Sequence, residues 1–194
     1  VDLPEIMSGS HLDTVRCAGA FDGAAGVVCA LEAARMIKES DQPMRHPYTV
    51  FGTVGEEGTR FGQVLLGSRF MTGSITNSDL DTVKDLESGE SLRSVLSAYG
   101  LNGDIQSASL FNRKIKAFVE LHGEQGPVLD QSGKEIGIVQ SIAGIAWIKV
   151  TVIGQAGHSG TVPMGYRKDA GIAAYEMIID MNTYVMEKYI HSAT

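Results

Sequence analysis

Glu5-Ile6-Met7-Ser8-Gly9-Ser10-His11-Leu12-Asp13 is the stretch on which the fold turns. Residues 6–10 are apolar or small and fit a short buried strand. The chain then changes character at once, to a titratable pair and a polar loop over residues 11–22. Beyond it Val27, Val28, Ala30, Leu31, Ala34, Met36 and Ile37 recur at three- and four-residue spacing, which predicts a helix over residues 22–39. Asp22-Gly23 is a cap region, and Asp41-Gln42-Pro43 stops the helix. Strand, loop and helix in this order open an α/β fold, where functional groups gather at the carboxyl ends of strands.

Working outward, residues 48–54 (YTVFGTV) are β-branched and aromatic and predict a second strand. A short helix follows at 63–70. Residues 73–110 are mixed, with the best helical turns at 91–99 and nothing functional between 86 and 112. Residues 114–121 (KIKAFVEL) and 135–142 predict a third and a fourth strand. Gly144 reads as a domain boundary. Residues 146–153 alternate as a half-buried strand does, with Trp147, Lys149, Thr151 and Ile153 on one side, and a helix over 169–190 comes after. One strand and one helix cannot close a core. The expectation is therefore a partial first domain at 1–143 and the opening of a second at 144–194. Val1 is not Met and the last helix lacks a clear cap, so a fragment is expected. Ile172, Ala173, Tyr175, Met177, Ile178 and Met181 share roughly helical spacing, and such an uncovered face predicts self-association.

Composition narrows the functional classes. Lys and Arg number 16 against 23 Asp and Glu, a net charge of −7 without a basic stripe, which argues against nucleic acid. With 43% hydrophobic and 20% charged residues the chain is too apolar for disorder. No apolar run reaches the roughly 18 to 20 residues that span a bilayer, so no membrane partner is expected. Two cysteines, Cys17 and Cys29, exclude a disulfide scaffold and fit a reducing, cytoplasmic setting. Cys29 is expected in the core.

The chemistry-bearing residues fall at strand ends. His11 follows the first strand, with Asp13 placed to accept the other N–H of its ring; the plain alternative is a surface His beside a turn Asp. Asp22 sits at the helix start, as a ligand or as an N-cap. Glu56 and Glu57 follow the second strand. Adjacent carboxylates repel unless a divalent cation relieves them; one then binds metal while the other takes a proton from water, and the alternative is a solvated acidic turn. His122 follows the third strand. Three strand ends delivering such residues point to a metal site, and a His and carboxylate set without thiolate suits Zn, Mn, Co or Ni. His158 lies between glycines after residues 146–153, in a loop that either approaches a ligand or is merely flexible.

These segments, Ser8–Val15, Phe21-Asp22-Gly23, Glu56–Phe61, Glu120–Pro127 and Ala156–Met164, occur in an order that resembles the dinuclear metallohydrolases comprising N-carbamoyl-L-amino-acid hydrolases, allantoate amidohydrolases and β-ureidopropionases. These are relatives of aminoacylases and carboxypeptidase-like metallopeptidases. The resemblance implies a metallopeptidase-like α/β catalytic domain with an inserted ferredoxin-like lid that forms a homodimer. It implies that Asp22 bridges two divalent ions, that His11 and His122 complete one site, that Glu57 binds the second ion and that Glu56 is the general base. It further implies that His158 reaches a dimer partner's active site and steadies the tetrahedral intermediate, that Gln125 lines the substrate pocket, and that Asp13 supports His11. His122 points to the carbamoylase branch, where the peptidase branch has a carboxylate. Two departures stand out: Arg16-Cys17-Ala18-Gly19-Ala20 replaces an Asn-Gly-Gly loop, and Gly123 replaces a large apolar residue. The family's last ligand, a second-site His, and its substrate-binding Arg are absent from this sequence, so one metal site is complete and the other is not, and the 194-residue chain alone is expected to have negligible hydrolase activity. The implied substrate is a small ureido acid. The rival readings are a dipeptidase or aminoacylase, and a chain that holds metal without turnover.

Overall fold

The structure, a computed structural model, describes residues 3–190; the outer ends of the two expected domains, residues 1–2 and 191–194, lie outside the described residues. The chain divides between Ser132 and Gly133 into two compact units.

The first unit is α/β. Strand β1 (Glu5–His11) is the centre of a parallel sheet ordered β2-β1-β3, with β2 at Tyr48–Thr53 and β3 at Ile115–Val119. Its pairings run from Ile6↔Tyr48 to His11↔Thr53 on one side and through Ser8↔Val119 on the other. A central parallel strand is flanked on both edges, which is why Met7 and Ser10 are almost wholly buried. Parallel pairing also sends all three carboxyl ends the same way, so the segments after β1, β2 and β3 emerge at one edge. At the opposite edge Glu5, itself buried, accepts the Thr49 hydroxyl at 2.5 Å and an N–H of Arg113, tying the starts of the strands together.

Helix α1 (Ala24–Glu39) packs on β1 and β2 through Gly26, Val27 and Ala30, with Ala34 and Ile37 continuing the half-buried face. Gly26 is obligatory there: a Cβ would stand 2.2 Å from the Leu121 carbonyl oxygen and 2.7 Å from the Ser10 Cβ. The expected apolar stripe is narrower than its sequence pattern, since Val28, Leu31 and Met36 are exposed. Cys29, expected in the core, is exposed as well: two residues from Val27 is about 200° around a helix, on its outer face.

Between β2 and β3 the chain makes an excursion of four short helices, α2 (Leu66–Met71), α3 (Asn77–Thr82), α4 (Leu92–Ala98) and α5 (Ile105–Ala108). They close a satellite core of Leu66, Ile75, Leu80, Val83 and Leu92. Thr76 and Asp79 cap α3 reciprocally, and Ser91 and Asp104 cap α4 and α5. The one-turn α6 (Val128–Gln131) ends the unit.

The second unit differs from expectation. Residues 135–142 and 146–153 form no strand: no described segment offers them a ladder, and a strand exists only through a partner for its N–H and C=O groups. No ferredoxin-like lid is formed among the described residues. The unit consists of chain without regular secondary structure, a 3-10 turn at Met164–Tyr166 and helix α7 (Ala170–Lys188), whose Asp169 cap accepts from the N–H of Gly171 and Ile172. None of α7 is buried. Trp147 is 95% exposed and Ile153 88%, and Ile172, Tyr175, Ile178 and Met181 are exposed too. Apolar surface of this extent drives association. The 194-residue chain is expected to sediment as dimers or larger species at micromolar concentration; a strictly monomeric, monodisperse preparation contradicts this. No described helix is long and apolar enough to cross a membrane.

Candidate metal centre

The common carboxyl edge of the sheet assembles the site. His11 is the last residue of β1 and is 3% exposed. Asp22 stands two residues before α1, whose N-cap is Gly23 with φ of 65° and no side-chain cap bond, so the Asp22 carboxylate is not engaged in capping. Gly23 cannot be replaced without loss: a Cβ there would lie 2.3 Å from His11 Nδ1. The helix start is thereby seated directly on the imidazole. Glu56 and Glu57 follow β2, half-buried, and His122 follows β3.

The two imidazoles meet face on. His11 Nδ1 lies 2.6 Å from the main-chain oxygen of Asp13, and His122 Nδ1 lies 2.9 Å from that of Gly123. A carbonyl only accepts, so each ring donates from Nδ1 and turns its Nε2 to the site. Those Nε2 atoms are 3.2 Å apart, with Asp22 Oδ1 3.4 Å from that of His122 and 3.9 Å from that of His11. Two ring nitrogens and a carboxylate oxygen this close need a proton or a cation between them, although Gln125 already donates to the Asp22 oxygen. Two ligands about 2.0 to 2.1 Å from one ion at a tetrahedral angle stand about 3.3 Å apart, so the spacing suits a cation between them. His11, Asp22 and His122 form one set able to hold a metal ion, and His11, Glu56 and Glu57 form another; the ligand atoms within each set lie within 4.8 Å of one another.

The acidic side of the site tells the same story. Burial, then a hydrogen bond and the charge of Asp22, then the charge of Glu56, raise the Glu57 carboxyl above its ordinary range, and His11 offsets part of this. Carboxylates so crowded share a proton when no cation relieves them. An ion bound here would expel that proton, and affinity is then expected to rise with pH.

Asp13 acts otherwise than its spacing implies. Its main-chain oxygen, not its carboxylate, receives the His11 N–H; Oδ1 is 4.0 Å from Nδ1. The carboxylate instead accepts the main-chain N–H groups of Glu56 and Glu57, each at 3.1 Å. Gln125, at a φ of 55°, donates from Nε2 to Asp22 Oδ1 at 3.0 Å. His158 belongs to the second unit, in an exposed turn where its Nδ1 accepts the N–H of Gly160 at 3.0 Å. Sequence reasoning passed over Ser10 and Glu120, whose hydroxyl-to-carboxylate bond of 2.6 Å ties the end of β1 to the residue after β3. Their adjacency to His11 and two residues from His122 was the available signal.

Residues 7–193 match the sequence profile of Peptidase family M20/M25/M40. The chain belongs to that family. Within M20/M25/M40 it is 46% identical over 187 residues to an N-carbamoyl-L-amino-acid amidohydrolase of Paenarthrobacter aurescens, covering 96% of this chain and 45% of the relative. It is 38% identical over 191 residues to a ureidoglycolate hydrolase of Arabidopsis thaliana, covering 96% and 40%. A crystal structure of a hydantoinase/carbamoylase family amidase from Burkholderia ambifaria superposes with a TM-score of 0.76 at 31% identity, over 99% of this chain and 49% of that one. The chain thus spans less than half the length of the curated relatives it matches. The resemblance carried by the five motifs is met at the level of the M20/M25/M40 family and of its carbamoyl- and ureido-hydrolysing members.

Proposed function

We propose that this chain supplies metal ligands and the general base of an amidohydrolase that cleaves the ureido C–N bond of an N-carbamoyl amino acid or a related ureido acid such as allantoate. The observation that carries the proposal is the pair of Nδ1-protonated imidazoles with their Nε2 atoms 3.2 Å apart, flanked by Asp22, Glu56 and Glu57. The named activities of the relatives supply the substrate class.

In this reading His11, Asp22 and His122 hold one divalent ion, Asp22 extends to a second, and Glu57 binds the second. Zn, Mn, Co or Ni suits such a donor set, and an ion held there lowers the pKa of water and polarises a carbonyl oxygen. Glu56 takes the proton of the attacking water. The water oxygen bonds to the ureido carbon, the bond from that carbon to the amino-acid nitrogen breaks, and Glu56 returns the proton to the departing nitrogen. The carbamate released falls to carbon dioxide and ammonia. Gln125, with its amide already at the site, is the residue we assign to the substrate. Residues 1–143 are read as catalytic and 144–194 as the start of a ferredoxin-like lid and homodimer contact, with His158 serving the tetrahedral intermediate in a partner's site.

A substrate panel tests this. Protein dialysed against Mn²⁺, Zn²⁺, Co²⁺ or Ni²⁺ is assayed with N-carbamoyl-L-amino acids, allantoate, N-acetyl amino acids and dipeptides. In a preparation that turns over, release of primary amine, with ammonia alongside it, is expected from the ureido substrates alone. Preference for dipeptides or N-acetyl amino acids overturns the assignment in favour of a peptidase or aminoacylase.

A further inference from the structure

Nothing in the reaction uses the excursion between β2 and β3, yet its one buried carboxylate faces the loop that carries Glu56 and Glu57. Asp85 is 6% exposed. One of its oxygens accepts the main-chain N–H groups of Glu87 and Ser88 at 2.8 and 3.0 Å, and the other accepts Arg60 Nε at 2.7 Å. The first oxygen shapes its own turn. The second is spent on a residue 25 positions earlier and three after Glu57. These bonds hold the Asp85 carboxyl down at about 2. The backbone repeats the link: the N–H of Leu86 donates to the Arg60 carbonyl at 2.8 Å. Arg60 also lies over the Phe61 ring, 5.4 Å from its centroid, and Phe61 packs on the satellite core.

The loop is held differently at its two ends. At its near end Asp13 holds the N–H groups of Glu56 and Glu57, and the N–H groups of Leu65 and Leu66 donate to the Glu56 and Gly55 carbonyls at 2.8 and 2.9 Å. At its far end the restraints found among the described residues are the turn from Gly62 N–H to the Gly58 carbonyl, at 2.7 Å, and the contacts of Arg60, which bonds Tyr99 as well as Asp85. Both glycines have left-handed φ, 69° and 61°, so the turn has little stiffness of its own. The second tie to this region, Arg16 to Glu87, joins two side chains about 80% exposed and contributes little.

We infer that Asp85, acting through Arg60, is a positioning residue that fixes the Glu56–Glu57 loop for metal binding, so that the excursion serves as a brace for the second ligand set. The inference rests on the metal-centre reading above. A purely structural role would lower stability without discriminating between the two ligand sets.

The test compares the wild-type chain with Asp85→Asn, Arg60→Gln and, as control, Asp81→Asn, which breaks an exposed pair with Arg93 in the same excursion. Arg60 is half-exposed, so its variant is expected to keep the fold even if the buried Asp85→Asn does not. Co²⁺ is titrated calorimetrically into metal-free protein. Both brace variants should weaken one binding event by about tenfold, at the low end for outer-shell partners. It should be the event that Glu57→Gln also weakens, the other should stand, and Asp81→Asn should change neither. In parallel, amide hydrogen exchange is followed without metal. The Glu56 and Glu57 amides should exchange about tenfold faster in the brace variants while the β1 amides do not. Unchanged Co²⁺ binding, equal weakening of both events, or the same effect from Asp81→Asn overturns the inference. If the wild-type chain binds no Co²⁺, the metal reading fails, and the exchange data alone decide the brace: no acceleration at Glu56 and Glu57 overturns it.

Discussion

Glu56→Gln is expected to lower turnover by about 10²- to 10⁴-fold while leaving metal content unchanged, in any preparation that hydrolyses a ureido substrate. Gln matches Glu in shape but has no basic oxygen. Its backbone would stay where it is, because Asp13 grips the N–H of residue 56 and Leu65 donates to its carbonyl. Glu57→Gln should behave in the opposite way. Its carboxyl is the one that burial and Asp22 hold above the ordinary range, the mark of a group whose charge awaits a cation. Metal analysis by plasma mass spectrometry after dialysis checks both: metal lost from Glu56→Gln and kept in Glu57→Gln reverses the two roles.

The second large effect concerns Asp22, which the proposed reading places between both ions. Asp22→Ala is expected to remove both ions from a preparation that holds two, an affinity loss well beyond the about 10- to 100-fold typical of outer-shell changes. His122→Ala should cost one ion only, since His122 belongs to one set. Circular dichroism separates this from simple unfolding. A folded Asp22→Ala protein that keeps its full metal content would show that Asp22 is not the shared ligand.

Much of the site was legible because β-strand ends are legible. Residues 6–10, 48–54 and 114–121 carry enough β-branched and apolar character to be placed within two residues of β1, β2 and β3, and His11, Glu56, Glu57 and His122 follow directly. Asp22 was ambiguous because capping and ligation use the same side chain at the same position; only the backbone of Gly23 resolves which service is free. At Asp13 it is the main-chain oxygen that meets the His11 ring, and spacing cannot tell a main-chain oxygen from a carboxylate. The alternation over 146–153 describes which side of a strand is apolar, but whether a strand forms depends on a partner that alternation does not name. Asp85 and Arg60 lie 25 residues apart in a polar excursion, and no local pattern links them.

The order of the strands in the sheet has a consequence in time. β1 pairs with β2 across one helix, whereas its other edge waits for β3, so His11 and His122 are separated by 111 residues. A domain folds as a unit. β1 therefore lacks its second edge until β3 has been made, and the pair of imidazoles cannot meet before then. Any change that weakens the pairing of β3 with β1 would part His122 from His11 without altering either residue.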